Sequence, residues 1–291
     1  MYRLKLSCKV ITPMFMYGAD GNTPELRPFE FKGMMRFWWR AIRAEDNIEK
    51  LRKEEAEMFG GTGEGEGKSK VQMILKEQIG NDGVFKYQPL PHHSKNNCKF
   101  CESRCRKSFV LSAIKPDTSF RIEFTFPEEL KNILESLIFI TFTLGGFGKR
   151  SRRGFGSIEY DGMQEVVKRD ELLNGILTSL NQINPKYELK YGKIKIKTTI
   201  ISNYPFIREI LLGKDFSSFD EILKVIGEAS HKWCDPSLGN ASPRMASPVY
   251  VSVLRADKFY RPIITILNSA FPSVYPRWDY EKQKKFIKEL L

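Results

Sequence analysis

Apolar and polar residues alternate along the first segment of the chain, YRLKLSCKVI. A period of two is typical of a β-strand with one buried face. An irregular stretch rich in proline and glycine follows, and from about Phe31 to Phe59 the apolar period lengthens to that of a helix without an internal proline. The glycines of GGTGEGEG end this pattern. We therefore predict a strand, an irregular connection and one long helix.

The pattern then returns to strands and a second helix. KVQMILKEQI predicts a strand, and SFVLSAI with SFRIEFTF predicts a hairpin around residues 115–117. PEELKNILESLIFITFTLGG begins with proline and acids and ends in paired glycines, as helices do, and SIEYDG predicts a short strand after it. The order strand, helix, strands, helix, strand is that of the split βαβ, or ferredoxin-like, arrangement. Its sheet has one face without helices, which RNA-binding modules of this plan use for nucleic acid.

The second half mixes helical and strand patterns without regular alternation. ELLNGILTSLNQI, SSFDEILKVIGEASHKW and YEKQKKFIKELL have helical periodicity, whereas KIKIKTTI, PVYVSVLRA and PIITIL have strand character. We predict an α+β fold of tandem ferredoxin-like (βαββαβ, RRM-like) domains. The N-terminal domain spans residues 1–162 with an insert at 86–107, and a degenerate C-terminal copy spans 163–291.

Charge narrows the classes of partner. The 291 residues carry 47 Lys and Arg against 35 Asp and Glu, a formal net charge of +12. A chain this basic commonly meets nucleic acid or an anionic membrane surface. No apolar run reaches the roughly 18 residues that a transmembrane helix needs, and the first residues lack the pattern of a signal peptide. Five cysteines without that signal argue against a disulfide framework and for the cytoplasm.

The first helix carries cations on one side. At about 100° per residue, Lys32, Arg36, Arg40 and Arg43 share one face with Trp39, beside an apolar stripe that supplies the core contact. Arginine suits phosphate because its planar fork binds two oxygens. We interpret this face as a cationic ridge for RNA, with Trp39 as a candidate for base stacking. The alternatives are a solvated face, ion pairs with acids elsewhere such as Glu45 and Glu49, and a buried Trp39.

A second basic segment is the glycine loop LGGFGKRSRRGFGS. It contains four basic residues and no acid, and its glycines allow a ligand to approach the backbone. It lacks the spacing of a Walker loop, so we predict contacts to an RNA backbone and not to a nucleotide's phosphates. Phe147 and Phe155 are candidates for stacking or for anchoring the loop. The candidate RNA contacts in this loop are Gly146, Gly148, Lys149, Arg150, Arg152, Arg153 and Phe155.

The insert HHSKNNCKFCESRC offers ligands for a metal. One histidine, His92 or His93, with Cys98, Cys101 and Cys105 makes a Cys3His set of the kind that holds structural zinc. The spacing is looser than in a standard zinc finger. A metal-free insert and a transient disulfide stay open as alternatives. Zinc here would brace the insert and would not activate water. Cys8 and Cys234 are predicted to be ordinary buried or partly buried residues.

The segments LRPFEFKGMMRFWWRA and LGGFGKRSRRGFGS together resemble the RAMP proteins of CRISPR systems and, within them, the first-numbered Cmr subunits of type III-B effector complexes. PRMASPVYVSV resembles the late R-x-x-SP motif of this family, with Arg244, Ser247 and Pro248 at its positions. The resemblance implies tandem ferredoxin-like folds and a subunit near the crRNA 3′ end that helps to capture target RNA. It also implies other RAMP subunits as partners and no catalysis by this subunit. By this motif, Lys32, Gly33, Arg36, Trp39 and Arg40 are implied RNA contacts, together with the loop.

A catalytic alternative stays open at this point. A metal-independent endoribonuclease that processes crRNA would need a general acid and base, often histidine. The chain has three histidines, of which two lie in the insert, and His231 follows a helical pattern where a structural histidine is expected. We therefore predict a non-catalytic RNA-binding subunit. A zinc-dependent DNA-binding regulator is a third interpretation, and the lack of a helix-turn-helix pattern counts against it.

Overall fold

The computed structural model describes residues 1–90, 109–163, 169–200, 204–256, 258–268 and 279–291. The α-helices in these ranges are α1 (Pro28–Arg43), α2 (Ile48–Phe59), α3 (Lys131–Leu144), α4 (Arg169–Ile183), α5 (Phe219–Lys232) and α6 (Tyr280–Leu290). The first strands are β1 (Tyr2–Val10), β2 (Gln72–Leu75), β3 (Val84–Tyr87), β4 (Leu111–Ile114), β5 (Ser119–Phe126) and β6 (Ile158–Tyr160). The later strands are β7 (Tyr187–Lys190), β8 (Lys193–Ile196), β9 (Ile207–Leu212), β10 (Asn240–Ala241), β11 (Arg244–Met245), β12 (Val249–Ala256) and β13 (Phe259–Leu267).

The N-terminal sheet is antiparallel and has the strand order β2-β5-β1-β6. The alternation seen in the sequence of β1 becomes a buried face, which includes Leu6, Cys8 and Val10, and an outward face of polar residues. Residue Tyr2 lies opposite Phe126 and Lys9 lies opposite Ser119, so β1 and β5 pair over almost their full length. Burial also confirms that Cys8 is a core residue, whereas Cys234 is exposed.

The predicted long helix over 31–59 is two helices. Helix α1 begins with Pro28 in its first turn and ends at Ala44, which has a left-handed φ of 43°. Helix α2 has its own N-cap, since the Asn47 side chain accepts a hydrogen bond from the Lys50 N–H. The break was missed because Ala44 is a poor signal for a left-handed cap, where glycine is usual.

The predicted hairpin around residues 115–117 is also wrong. Strand β4 pairs with β3, with Val84 opposite Ile114, and forms a separate two-stranded sheet. Strand β5 instead pairs with β1 and β2. Pattern alone could not choose between these partners, because β3 is short and precedes the insert.

The C-terminal sheet is antiparallel with the order β12-β13-β9-β8-β7. The class α+β with antiparallel sheets is therefore confirmed. Strand β6 ends at Tyr160 and α4 begins at Arg169, so the predicted boundary at 162–163 falls between two elements. One hydrophobic cluster nevertheless joins both halves and contains Val10, Trp38 and Ile263. The division into two domains stays a prediction. Among the described residues, no helix has the length and apolar character needed to cross a membrane.

Candidate nucleic-acid interface

Two arginines of α1 are held by one carboxylate of α2. Arg36 donates through Nε to Glu55 at 2.5 Å, and Arg40 donates through Nη1 to both oxygens of Glu55 at 2.8 and 2.7 Å. The Glu55 side chain is buried, while those of Arg36 and Arg40 stay 40% and 39% exposed. The predicted cationic ridge therefore exists, but a buried acid neutralises part of its charge. The acid comes from α2 and is neither Glu45 nor Glu49.

The C-terminal end of the ridge is occupied by internal contacts. Arg43 pairs with Glu54 at 2.7 Å and donates to the Ile183 carbonyl at 3.2 Å. Its guanidinium lies over the Trp39 ring, 5.6 Å from the centroid. Trp39 is only 5% exposed, which leaves no ring face for a base. The expected stacking of Trp39 on RNA does not fit this position, and its core alternative does.

The N-terminal half of the ridge is more open. Lys32 is half-buried, and this burial together with the nearby Arg36 lowers the pKa of its ammonium below the ordinary value. Gly33 is exposed, and a Cβ added there would meet no atom within 4 Å. A glycine inside a helix costs about 0.5–1 kcal/mol relative to alanine. Nothing in the packing of the chain accounts for glycine at this position.

The glycines of the loop serve internal packing. Gly148 has a φ of +81°, and a Cβ there would lie 2.5 Å from the Phe15 carbonyl oxygen. Gly156 has a φ of +68°, and its Cβ would lie 2.0 Å from the Phe147 carbonyl oxygen. Gly146 donates to the Tyr250 hydroxyl at 3.0 Å. The loop is therefore a built connection between the segment after β1 and strand β12, which lies in the other half of the chain.

Several backbone amides of the loop already have partners inside the protein. Lys149 donates to the Phe15 carbonyl at 2.9 Å, and Gly154 donates to that of Val251 at 2.8 Å. Phe147 and Phe155 are buried in the two hydrophobic clusters, so of the two predicted roles they anchor the loop. Because these amides are used internally, an anion at this loop would be held mainly by side chains.

Arg153 is an internal connector. Its guanidinium donates to the carbonyls of Leu238 at 2.7 Å and Val249 at 3.2 Å, and to Ser247 Oγ at 3.0 Å. Burial, with the neighbouring arginines, lowers the pKa of Arg153 to about 10. The predicted contact between Arg153 and RNA does not fit this enclosed position.

Arg152 has one foot in each half of the chain. It donates to the Ser247 carbonyl, and its guanidinium lies 5.3 Å from the Phe37 ring centroid and 5.6 Å from that of Tyr250. Ser247 belongs to the R-x-x-SP motif, so this motif and the glycine loop are in direct contact. Phe37 belongs to α1, so the loop also touches the helix that carries the ridge.

A basic groove of about 860 Å³ opens beside the loop. Three segments that are distant in sequence meet here: the stretch after β1, the glycine loop and the β10–β11 hairpin. Its lining contains four cations, Lys149, Arg150, Arg152 and Arg244, and one acid, Glu30. The described lining is completed by Phe15, Met16, Tyr17, Gly18, Gly21, Gly148, Ser151, Asn240, Met245 and Ala246. We call this surface the basic groove.

The most accessible cations of the groove are Lys149, Arg150 and Arg244, which are exposed. Lys149 Nζ lies over the Tyr17 ring, 4.3 Å from its centroid, which positions the ammonium at the wall of the groove. Arg150 has a left-handed φ of 63°. Non-glycine residues adopt this conformation at a cost and concentrate at functional sites. The groove thus presents positioned cations with little internal neutralisation.

Helical geometry connects the groove to the ridge. Glu30 lines the groove, and Gly33, one turn later, lies between the Glu30–Phe37 side of α1 and the side that carries Arg36 and Arg40. The two cationic segments therefore adjoin around one helix. Sequence reasoning missed Tyr17 and Asn240, which come from irregular segments without periodic pattern. It singled out Arg244 only through the R-x-x-SP resemblance.

The outward face of the N-terminal sheet is a different kind of surface. The outward positions of β1 and β5 hold Arg3, Lys5, Ser7, Lys9, Ser119, Arg121, Glu123 and Thr125. Lys76 pairs with Glu123 at 2.8 Å, and Arg121 pairs with Glu77. These positions include no aromatic ring, so the base stacking typical of RRM sheets has no platform there.

The predicted metal ligands His92, His93, Cys98, Cys101 and Cys105 lie outside the described residues. Within the described part of the chain, no cluster of three or more potential metal ligands occurs. His231 lies in the last turn of α5. None of the described residues that line the basic groove is a histidine.

Comparison with known families agrees with the motifs. The model of the RAMP superfamily matches residues 7–159, more than half of the chain, and the chain belongs to this superfamily. Among curated proteins it is similar to the CRISPR system Cmr subunit Cmr1-2 of Pyrococcus furiosus, with 29% identity over 189 residues, covering 57% of this chain and 100% of the relative. The Cmr1-1 subunit of the same organism is 27% identical over 177 residues, covering 55% of this chain and 47% of that subunit.

Solved structures match the fold along the whole chain. The crystal structure of apo Cmr1 from Pyrococcus furiosus has a TM-score of 0.63 at 17% identity, covering 100% of this chain and 97% of that one. A chain of the type III-B Cmr-beta complex bound to cognate target RNA and AMPPnP has a TM-score of 0.61 at 14% identity, covering 98% of each chain. At these identities the match concerns the fold alone. The predicted resemblance to RAMP proteins and Cmr1 subunits is confirmed.

Proposed function

We propose that this chain is a non-catalytic RNA-binding subunit of a type III-B (Cmr) RNA-guided effector complex. In this proposal it works in the cytoplasm beside other RAMP subunits and contributes to binding of the crRNA 3′ end and of target RNA in antiviral defence. Membership of the RAMP superfamily and the similarity to proteins named as Cmr subunits support the complex. The observation that carries RNA binding is the basic groove, in which four cations face one acid.

The chemistry of the groove suits a single-stranded polyanion. Phosphates would contact the exposed Lys149, Arg150 and Arg244, and arginine adds a planar fork for two oxygens. Asn240 and the exposed glycine backbone at Gly18 and Gly21 offer groups for sugar or base edges. The groove is open at the surface, so a strand can pass through it and continue onto α1.

On α1, the strand would pass the bare backbone at Gly33 and reach Arg36 and Arg40. Glu55 uses Nε of Arg36 and Nη1 of Arg40, so the remaining guanidinium nitrogens of both side chains point elsewhere. In this proposal Glu55 sets the direction of the two forks, and RNA phosphates meet their exposed edges.

We further propose that both halves are ferredoxin-like. In the N-terminal sheet, β1, β2, β5 and β6 act as first to fourth strands, with α1–α2 and α3 as the crossovers, and the order β6-β1-β5-β2 supports this. In the C-terminal sheet, β9, α5, β12, β13 and α6 follow the same chain order, and β13 lies between β9 and β12. Strand β8, which precedes β9, takes the fourth place, so this copy is rearranged.

The endoribonuclease alternative requires a general acid and base at the bound phosphate. The described groove lining provides no histidine for this role. A cleavage assay on labelled repeat RNA in the presence of EDTA separates the two functions. We expect no specific product; a product formed by the wild type and lost in His231→Ala would establish the enzyme instead.

The binding proposal is tested by removing two groove cations. We expect Lys149→Gln with Arg244→Gln to weaken binding of labelled single-stranded RNA about 10- to 100-fold, as two charge-assisted contacts are lost. The salt dependence should become shallower by about 1.4, at roughly 0.7 per single-strand phosphate contact. The measurement is fluorescence anisotropy at several salt concentrations.

The matched control is Lys224→Gln with Lys288→Gln, which removes the same charge from exposed positions on α5 and α6. We expect this control to bind RNA within about threefold of the wild type, since surface charges far from the groove act only through screened potentials. Equal affinities of the groove variant and the control variant would remove the basic groove from the binding site.

A further inference from the structure

The hairpin of β7 and β8 projects an unusual side chain at its tip. Lys190 and Lys193 are paired, so Tyr191 and Gly192 form a two-residue turn, and both have positive φ, 53° and 70°. Such a turn favours Asn-Gly or Asp-Gly, because a bulky side chain is disfavoured in the left-handed region. A tyrosine therefore strains this turn.

Packing within the chain does not explain the tyrosine. The Tyr191 side chain is 87% exposed. Lys190 Nζ lies 5.4 Å from the centroid of its ring. An exposed aromatic ring beside a cation on a strained turn is a feature that points to a ligand and not to stability.

The hairpin also has a strongly basic face. Because side chains alternate along a strand, one face carries Lys186, Glu188 and Lys190 from β7 and Lys193, Lys195 and Lys197 from β8 and its continuation. Lys190 lies directly opposite Lys193, and like charges in such pairs are destabilising. Glu209 pairs with Lys193 and Lys195, both at 3.1 Å. No ion pair involving Lys190 or Lys197 occurs among the described residues.

Protection of a sheet edge explains only part of this charge. Strand β7 is the edge of its sheet, where lysine commonly prevents pairing with other chains. Strand β8 is interior, paired with β7 and β9, and still carries Lys193 and Lys195. Edge protection also gives no reason for Tyr191 in a turn. The surplus charge is therefore suited to an external anion.

The root of the hairpin lies at the C-terminal end of α1. The Tyr187 hydroxyl donates to the Ile42 carbonyl at 2.8 Å, and Lys186 Nζ donates to that of Ala44 at 3.4 Å. Helix α1 carries Gly33, Arg36 and Arg40 and leads from the basic groove toward this point. A strand that follows α1 beyond the groove would thus arrive at the hairpin.

We propose that the β7–β8 hairpin is a second contact site for single-stranded RNA, in which Tyr191 stacks on a base and Lys190 and Lys197 contact phosphates. The site rests on the proposed function of the groove for the identity of its ligand. Its consequence is a longer footprint: one RNA strand engages the groove, the exposed edge of α1 and the hairpin tip.

Two variants of the full chain separate stacking from charge. Tyr191→Asn gives the turn its preferred residue, so we expect a raised Tm together with weaker RNA binding, by about 5- to 150-fold for one lost base stack. Lys190→Gln with Lys197→Gln should reduce the salt dependence by about 1.4. The probe is a labelled oligouridine of about 16 nucleotides, and a probe of about 4 nucleotides tests the footprint. The short probe fits the groove alone and should bind both variants and the wild type equally.

The outcomes distinguish the two sites. Hairpin variants that bind the long probe like the wild type, while Lys149→Gln with Arg244→Gln weakens binding, overturn the hairpin site and leave the groove intact. Weak binding by the hairpin variants together with unchanged binding by the groove variant supports the hairpin and overturns the groove. A wild-type chain that does not bind oligouridine overturns both, and would leave the lysine face to an acidic protein partner.

Discussion

Substitution of Gly33 by alanine separates stability from binding, because the two should change in opposite directions. A Cβ at this position meets no atom within 4 Å, so the methyl group fits without any rearrangement. Alanine in a helix interior is about 0.5–1 kcal/mol more favourable than glycine. For a chain of this size, we expect Tm to rise by about 2 °C.

Binding should weaken for a steric reason. Gly33 lies between the groove side of α1 and the side that carries Arg36 and Arg40, so RNA crossing the helix would pass over its bare backbone. A methyl group there holds the strand away and removes close contacts, of the order of one hydrogen bond. We expect an affinity loss of about tenfold, which corresponds to roughly 1.4 kcal/mol.

Anisotropy of a labelled single-stranded RNA at several salt concentrations measures this effect. Because Gly33→Ala removes no charge, the affinity should fall equally at every salt concentration. The control is Asn174→Ala on an exposed position of α4, which also improves helix propensity. A Gly33→Ala protein with higher Tm and wild-type affinity would refute the path across α1.

Three further predictions concern the supports of the site. Arg153→Ala should destabilise the chain by about 3 kcal/mol, measured by urea unfolding, because the Leu238 and Val249 carbonyls lose their buried donor; a change below about 1 kcal/mol would contradict this. The Asp20 carboxylate, which accepts from a side-chain hydroxyl and two backbone amides in the turn beside the groove, has its pKa lowered to about 2. Its contribution to the turn is therefore complete above about pH 4 and is lost as the pH falls through 2, which an NMR titration of this carboxyl checks; an ordinary value near 3.9 would contradict it. Purified protein should contain about one zinc per chain and lose it in Cys101→Ser, by elemental analysis, since the sequence predicts a Cys3His set; zinc-free wild-type protein would exclude the metal.

The sequence was most informative where one physical signal dominates. Alternation located β1, and the apolar stripe of α1 correctly placed Phe31, Met35, Trp38 and Ile42 in the core. The basic composition of the glycine loop was visible, because no acid interrupts it.

The ion pairs could not be read from local sequence. Glu55 lies 15 residues from Arg40, and it faces this arginine only because the chain breaks at Ala44 and α2 folds back. This pairing changes the obvious test of the ridge. Reversing the charge of both Arg36 and Arg40 would place three carboxylates together and would test folding instead of RNA binding.

The glycine loop shows the same limit. Arg152 and Arg153 are adjacent to Lys149 and Arg150 in a uniformly basic segment, yet they point inward to Ser247 and its neighbours. Sequence composition cannot divide such a run into connectors and exposed cations, because the division depends on a strand almost 100 residues later. The basic groove likewise needs three distant segments.

The most direct test of the central claim is UV crosslinking of the full chain to single-stranded RNA, with mapping of the crosslinked peptides. We predict crosslinks in the segment around Tyr17, in the loop from Gly145 to Gly156 and around Arg244. Crosslinks confined to the outward face of the N-terminal sheet, or to the surface of α5 and α6, would contradict the assignment of the basic groove as the RNA site.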